Sequence, residues 1–331
     1  MRIVPFDSLS DADLAHWHAL RATDEAFDSP YFHPGFAAAV HASGHAVEVA
    51  VDDGFVFAFH RDGSLARPVG WPAADFQGPI GTGFPPEEFV KTAGLGGLAF
   101  DHLIEGHPGF EPYIENRRVS PYIDVSGGLD GYLSRASRSG KDNIGQARRR
   151  AKKAERELGE VRFAADAADP GLLDEVIRLK RAQYAATGAR DYFADTRHVD
   201  LMHRLLKVHD TDFAGVLSTV HAGDHLLAAH FGMLSGGVLH WWFPVYEPSL
   251  SGYSPGWILL RELMGAGLER IDLGRGEDEY KRRAMTGQTL VGEGLVGGGA
   301  VRRVVRTAGK MARSSSLLRQ VARGVRRYTQ R

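Results

Sequence analysis

The sequence predicts a mixed α/β protein with two domains, each a mixed sheet flanked by helices. Three observations carry that reading. The chain has 331 residues, and a domain commonly holds about 100–200. A hairpin pattern in the first half and a three-strand meander in the second stand among helical periodicities. After the meander the order strand, helix, strand returns, a crossover that normally sets its two strands parallel.

The first domain is expected over residues 1–125. Trp17, Leu20 and Phe27 belong to a helical opening and its exit. The turn-rich run Asp28-Ser29-Pro30-Tyr31-Phe32-His33-Pro34 leads into a short helix at 35–42. Residues 46–51 and 55–60 alternate around Asp52-Asp53-Gly54, and Asp-Gly between β-rich runs is a hairpin signal. A strand at 120–125 closes this half.

The second domain is expected over 126–299. Residues 129–158 read as helical and carry nine bases against four acids, with Arg148, Arg149 and Arg150 in succession. A helix at 174–187 places Leu173, Val176, Ile177, Lys180 and Tyr184 on one face. Another spans 198–209. Strands at 213–220, 226–234 and 238–245 are joined by His221-Ala222-Gly223-Asp224 and Ser235-Gly236-Gly237, turn lengths that suit antiparallel neighbours. A small-residue loop at 249–253 follows. Ser254 is expected as an N-cap, with Pro255 at the first helical position, where its missing N–H costs nothing. Trp257, Leu260, Leu263 and Met264 make the apolar stripe, Gly265 and Gly267 end the helix, and 268–273 is a short strand. Beyond Lys281 the pattern reads as glycine-rich turns up to Gly299. A tail at 300–331 holds two amphipathic helical patterns.

Composition narrows the chemistry. Apolar residues are 43% and charged residues 24%, ordinary values for a globular chain. With no cysteine, disulfides, thiolate catalysis and thiolate zinc sites are excluded. No signal-peptide run opens the sequence and no apolar stretch reaches about 18 residues, so the expected address is the cytoplasm. The net charge of −1 is uneven: ten of the 40 bases fall in 302–331 with no acid, leaving 30 bases against 41 acids before it. The body is acidic and the tail basic. Peripheral contact of the tail with an anionic membrane, at the inner face, is expected on equal terms with packing on the acidic body.

The strongest local unit is meander, small-residue loop, helix, strand. A helix start offers free N–H groups and the positive end of the dipole to an anion. Gly252, Ser254 and Gly256 let a ligand approach the backbone, which a coenzyme pyrophosphate requires. The bland reading of the same residues is a plain capped helix start. Gly252-Tyr253-Ser254-Pro255-Gly256 also matches the G-x-S-x-G elbow of α/β-hydrolases. The elbow draws an oxyanion donor from the residue after the serine, and Pro255 has no N–H to give. That reading is rejected.

Over roughly residues 10–285 the sequence resembles the GNAT-type acyltransferases associated with bacterial cellulose and exopolysaccharide gene sets, relatives of the FemAB-type peptidyltransferases. The resemblance rests on Tyr253-Ser254-Pro255-Gly256, on Asp272-Leu273-Gly274-Arg275-Gly276 followed by Tyr280-Lys281, on the Ser-Pro-Tyr-Phe-His-Pro turn after Trp17, and on the Arg148-Arg149-Arg150 helix. It implies two tandem GNAT-like domains, the second better formed, and acetyl-CoA or another acyl-CoA as donor. The usual pyrophosphate signature [QR]-x-x-G-x-[GA] is not cleanly present; residues 249–256 stand in its place.

On this reading Gly252, Tyr253, Ser254, Gly256 and Trp257 are the candidate coenzyme-binding residues. Attack on a thioester needs a base, oxyanion donors and an acid for the departing thiolate. His230 and Glu247 are the candidate bases, Tyr280 the candidate acid, and Lys281 joins them as catalytic. Tyr246, Asp272 and Arg275 are candidate acceptor-binding residues. The expected acceptor is an amine or hydroxyl on a small molecule or sugar, in envelope or exopolysaccharide synthesis. Aminoacyl transfer from transfer RNA is the alternative, and a non-catalytic scaffold for polysaccharide synthesis the other; outside that first alternative, no nucleic-acid partner is expected. The basic helix within 129–158 is read as a solvated face, or as a grip on coenzyme phosphates, a nucleotide-linked sugar or transfer RNA. No metal site is expected: H-E-x-x-H is absent, and His221 and His225 flank a turn.

Overall fold

A computed structural model describes residues 1–276 and 278–297. The Asp-Gly turn joins β2 (Glu48–Asp52) to β3 (Phe55–Asp62), with Asp52 opposite Phe55. β1 (Arg2–Pro5) pairs outside β2. β4 (Leu65–Pro68) and the two-residue β5 (Ile80–Gly81) both pair with β3. β6 (Gly97–Ile104) runs parallel to β4. Three helices belong to this half: α1 (Asp11–Arg21), α2 (Pro34–Ala42) and α3 (Pro86–Thr92). A capping box between Ser10 and Asp13 opens α1, and the His33 ring accepts the Gly35 N–H to cap α2.

The strand expected at 120–125 is longer, β7 (Ile114–Asp124). The single helix expected at 129–158 is two, α4 (Gly128–Arg135) and α5 (Arg138–Leu158). The break falls at Ala136-Ser137, because Ser137 is extended and caps α5 by accepting the Gly140 N–H. β8 (Val161–Ala164), α6 (Pro170–Thr187) and α7 (Thr196–Leu206) follow. The meander is β9 (Phe213–Ala222), β10 (His225–Ser235) and β11 (Val238–Tyr246), antiparallel throughout. α8 (Pro255–Leu263) crosses to β12 (Arg270–Asp272), which lies parallel to β11 as expected.

Two expectations are corrected. Ser254 stands at the head of α8 but makes no capping hydrogen bond, because its backbone is left-handed at φ 52°. The glycine-rich run after α9 (Glu279–Ala284) is not a set of turns but an eleven-residue strand, β13 (Gly287–Gly297). It lies between β6 and β7 in one sheet of order β1-β2-β3-β4-β6-β13-β7-β12-β11-β10-β9-β8. Its glycines answer to crowding. A Cβ at Gly294 would sit 2.0 Å from the Tyr113 carbonyl oxygen, and one at Gly287 2.4 Å from the Tyr122 ring. The tail at 300–331 lies outside the described residues.

The core divides by sheet face. On one side Trp17, Phe36, Leu205, Phe231 and Trp242 pack together, joining α1, α2 and α7 to the meander. On the other, Tyr132, Ile144, Leu259 and Leu263 seat α4, α5 and α8. Each such side chain contributes about 1.5–3 kcal/mol by leaving water. The position of α8 is therefore set by burial, and its N-terminus is fixed relative to β11.

Candidate functional site: a wedge between two parallel strands

β11 and β12 pair over only three positions, Val238 with Arg270, Leu239 with Ile271 and His240 with Asp272. β12 ends there, while β11 continues to Tyr246. The far edge of β11 still pairs with β10. The near edge opens into a cleft of about 520 Å³ that reaches the start of α8. Its walls include Tyr246, Ser254, Gly256, Trp257 and Tyr280 from the predicted set, and Asp278, near Tyr280 in sequence.

The loop before α8 is built for close approach. Residues Pro248–Tyr253 form a 3-10 turn, and Glu247 caps it by accepting from the Ser249 N–H and hydroxyl. A Cβ at Gly252 or at Gly256 would meet nothing within 4 Å, so both open onto free space. The basic helix α5 lies against this loop: Arg150 donates to the Gly252 carbonyl, and the Lys153 ammonium sits 5.4 Å from the Tyr253 ring. Tyr253 donates its hydroxyl to Glu157 at 2.7 Å. Free N–H groups at a helix start and a neighbouring guanidinium are what a phosphate needs.

Tyr280 faces the same cleft, and burial raises its phenol well above the ordinary value. Lys180, which the sequence reading placed on one face of its helix without a role in the site, is a cation on the apolar stripe of α6. It lines the cleft with its Nζ 3.4 Å from the Pro244 carbonyl, and burial lowers its pKa to about 8. Its signal was a lysine among Leu173, Val176 and Ile177 on one helical face.

Other predicted residues lie elsewhere. His230 is fully buried behind the cleft wall, stacked on Trp241 at 4.4 Å, and burial takes its pKa to about 3. Its Nε2 accepts the Trp242 N–H at 3.3 Å. Lys281 is buried and donates to the carbonyls of Gly274 at 3.2 Å and Arg275 at 3.0 Å, which fastens the loop after β12. Arg275 donates to the Asp101 carbonyl at 2.7 Å. Asp272 is buried, with Oδ1 accepting from Arg270 at 3.0 Å and Oδ2 without a partner.

A second polar cluster joins the halves, and the sequence reading missed it. Asp75 accepts from His240 at 3.1 Å and lies 3.3 Å from His102, whose other nitrogen is 2.6 Å from Asp101. Burial pushes the Asp75 carboxyl up, but the two imidazoles outweigh it and hold the carboxyl below its ordinary range. Burial likewise opposes the His102 imidazolium, and Asp101 and Asp75 prevail and raise its pKa. Gly274 is the close neighbour: a Cβ there would sit 2.3 Å from the Asp75 carboxylate. An aspartate in the run Ala73-Ala74-Asp75-Phe76 was the available signal.

Among the described residues two His/Asp groups have ligand atoms within 4.8 Å of one another. In the first, His33 accepts the Gly35 N–H on Nδ1, so its proton sits on Nε2 toward Asp212 and leaves no lone pair there. In the second, Asp195 of the His45 and His198 group is held by the Arg197 guanidinium at 2.6 Å. Neither is arranged to receive a cation.

The residues that line this cleft fall within the segment matched by a family comparison. Residues 141–282 match the Acetyltransferase (GNAT) domain. The matched segment runs from α5 through the meander and α8 to α9, so it contains the cleft. Solved structures agree on the fold. FemX superposes with a TM-score of 0.58 at 10% identity, covering 89% of this chain and 96% of that one. The C-terminal domain (DUF2156) of a candidate lysylphosphatidylglycerol synthetase from Agrobacterium fabrum gives 0.55 at 13%, covering 90% and 95%. A protein of unknown function from Bacteroides thetaiotaomicron gives 0.55 at 11%, covering 86% and 99%. No curated protein sequence matches the chain. No helix among the described residues is long and apolar enough to cross a membrane.

Proposed function

We propose that the chain transfers an acyl group from acyl-CoA to an amine or hydroxyl of a small-molecule or sugar acceptor. The observation that carries this is the open edge of β11 facing the start of α8 across one cleft. In this reading the amides of the donor's pantetheine arm pair with the free edge of β11. The pyrophosphate meets the Gly256 N–H at the head of α8, with Arg150 and the basic face of α5 beside it. Gly252, Ser254 and Gly256 keep that approach open, while Tyr253, held by Glu157, shapes the loop.

The thioester carbon then lies near Tyr280 and Lys180. The acceptor's nitrogen or oxygen bonds to that carbon, the C–S bond breaks, and the thiolate takes a proton from the Tyr280 hydroxyl. The acceptor's own proton passes to the neutral fraction of Lys180, which a pKa of about 8 supplies near neutral pH. Cell-envelope or exopolysaccharide synthesis is the proposed setting, with the tail at 300–331 touching an anionic membrane surface.

The test is thiol release. A panel of acyl-CoAs with amine and amino-sugar acceptors is followed by thiol titration. Acceptor-dependent thiol release supports the reading. Loss of amino acid from charged transfer RNA with no thiol release replaces the donor. Neither reaction in a folded sample leaves a scaffold.

A further inference from the structure

We propose that an acidic cleft at the other end of β11 and β12 binds an extended organic polycation of the linear polyamine class. The acyl-transfer reading makes no use of this cleft. It encloses about 710 Å³ at the start of β11, whereas the donor cleft lies at that strand's end. Seven carboxylates line it and Arg270 is its one cationic side chain among the described residues.

Two of the acids are already engaged. Asp124 pairs with Arg135 at 2.9 Å, and Asp272 offers Oδ1 to Arg270. Asp28, Glu105 and Glu269 have no ion pair among the described residues. Burial raises the Asp28 pKa against the opposing charges of Arg270 and Arg21, and raises that of Asp272 against Arg270 and His240. In both acids desolvation outweighs the guanidinium nearby.

A separate observation points to a ligand. Ser29 and Asp272 line the cleft, each is 2% exposed, and the Ser29 hydroxyl oxygen and Asp272 Oδ2 have no hydrogen-bond partner. Buried acceptors in folded proteins are almost always satisfied. An ammonium brings up to three N–H donors and a charge of the needed sign.

The spread of the acids decides the class of cation. A metal ion needs ligand atoms gathered around one point. The His/Asp groups that meet this condition among the described residues are the two above, and neither lies in this cleft. Seven carboxylates spread around a cleft of about 710 Å³ suit several ammonium groups separated by methylenes. Phe76, Ile104, Val238 and Leu290 line the same cleft and supply an apolar wall for those methylenes.

The experiment is calorimetric titration of the full chain with spermidine, without any acyl donor, at low ionic strength and again at about 0.2 M salt. Its outcome is independent of the acyl-transfer reading. Saturable binding is expected, weakened by salt, and at least tenfold weaker in a variant combining Asp28→Asn, Glu105→Gln and Glu269→Gln. Glu105 and Glu269 are exposed, so a variant with those two changes alone keeps the fold and still loses affinity. Equal affinity in wild type and variants overturns the proposal, as does spermidine heat that never saturates. Displacement of spermidine by magnesium at equal concentration overturns it too, since the cleft would then be a metal site.

Discussion

Lys180→Met removes the one ammonium that the structure half-buries in the donor cleft while keeping the length of the side chain. The fall of the Lys180 pKa from 10.5 to about 8 corresponds to about 3 kcal/mol at pH 7, taking about 1.4 kcal/mol per pH unit. The folded chain binds this proton less tightly than the unfolded chain. Wild-type stability from this group therefore rises with pH, from about 8 up to the ordinary lysine value of 10.5. At pH 9 the remaining penalty is about 2 kcal/mol by the same linkage. Against this, the variant loses the contact to the Pro244 carbonyl, about 1 kcal/mol. Lys180→Met is thus expected to be more stable than wild type by about 2 kcal/mol at pH 7 and by about 1 kcal/mol at pH 9. Urea unfolding of both proteins at the two pH values measures this, because every other titrating group is common to both. Acyl transfer by the variant should fall at least tenfold, as expected for loss of a general base. A stability difference that is the same at pH 7 and pH 9 would refute the claim that Lys180 is held in a desolvated cleft.

Lys281→Met leaves the Gly274 and Arg275 carbonyls without their shared donor, and a loss of about 2–3 kcal/mol is expected in denaturant unfolding. Asp75→Asn removes the charge that two imidazoles enclose, at a cost of about 3 kcal/mol near neutral pH. His102 has a raised pKa, so its contribution is complete below 6.5 and lost as pH rises through the folded value; the Asn variant should show a shallower decline above pH 6.5 in a stability–pH profile. Gly294→Ala drives a Cβ against the Tyr113 carbonyl, and a thermal midpoint lowered by several degrees, about 2–4 kcal/mol, is expected from strain in the middle of a sheet.

The fold was legible where local chemistry and burial agree. Asp-Gly fixed the first hairpin, the spacing of hydrophobic runs gave the meander, and Pro255 marked the start of α8. β13 was illegible because its glycines are demanded by neighbours distant in sequence, Tyr113 and Tyr122, and carry no alternating side-chain pattern of their own. The same holds for Ser254. As a residue type it signals a cap, but the chain turns left-handed there and the hydroxyl makes no capping bond. For the candidate site, the loop 252–256 could be read locally. Asp75 could not, because its role arises when the first half of the chain is laid against His240 of the second. Lys180 fell between these cases: its helix was legible, but a helical stripe does not say that one end of it faces an open cleft.

The central claim is that the head of α8 and the free edge of β11 receive an acyl-CoA. Gly256 lines that cleft with open space where a Cβ would be, so Gly256→Leu fills the cleft without pressing on the fold. Calorimetric titration with a non-reactive acyl-CoA analogue compares the two proteins. The account predicts saturable one-to-one binding by wild type and at least tenfold weaker binding by the variant, with unfolding midpoints alike. No binding by folded wild type, or equal affinity in both proteins, would contradict it.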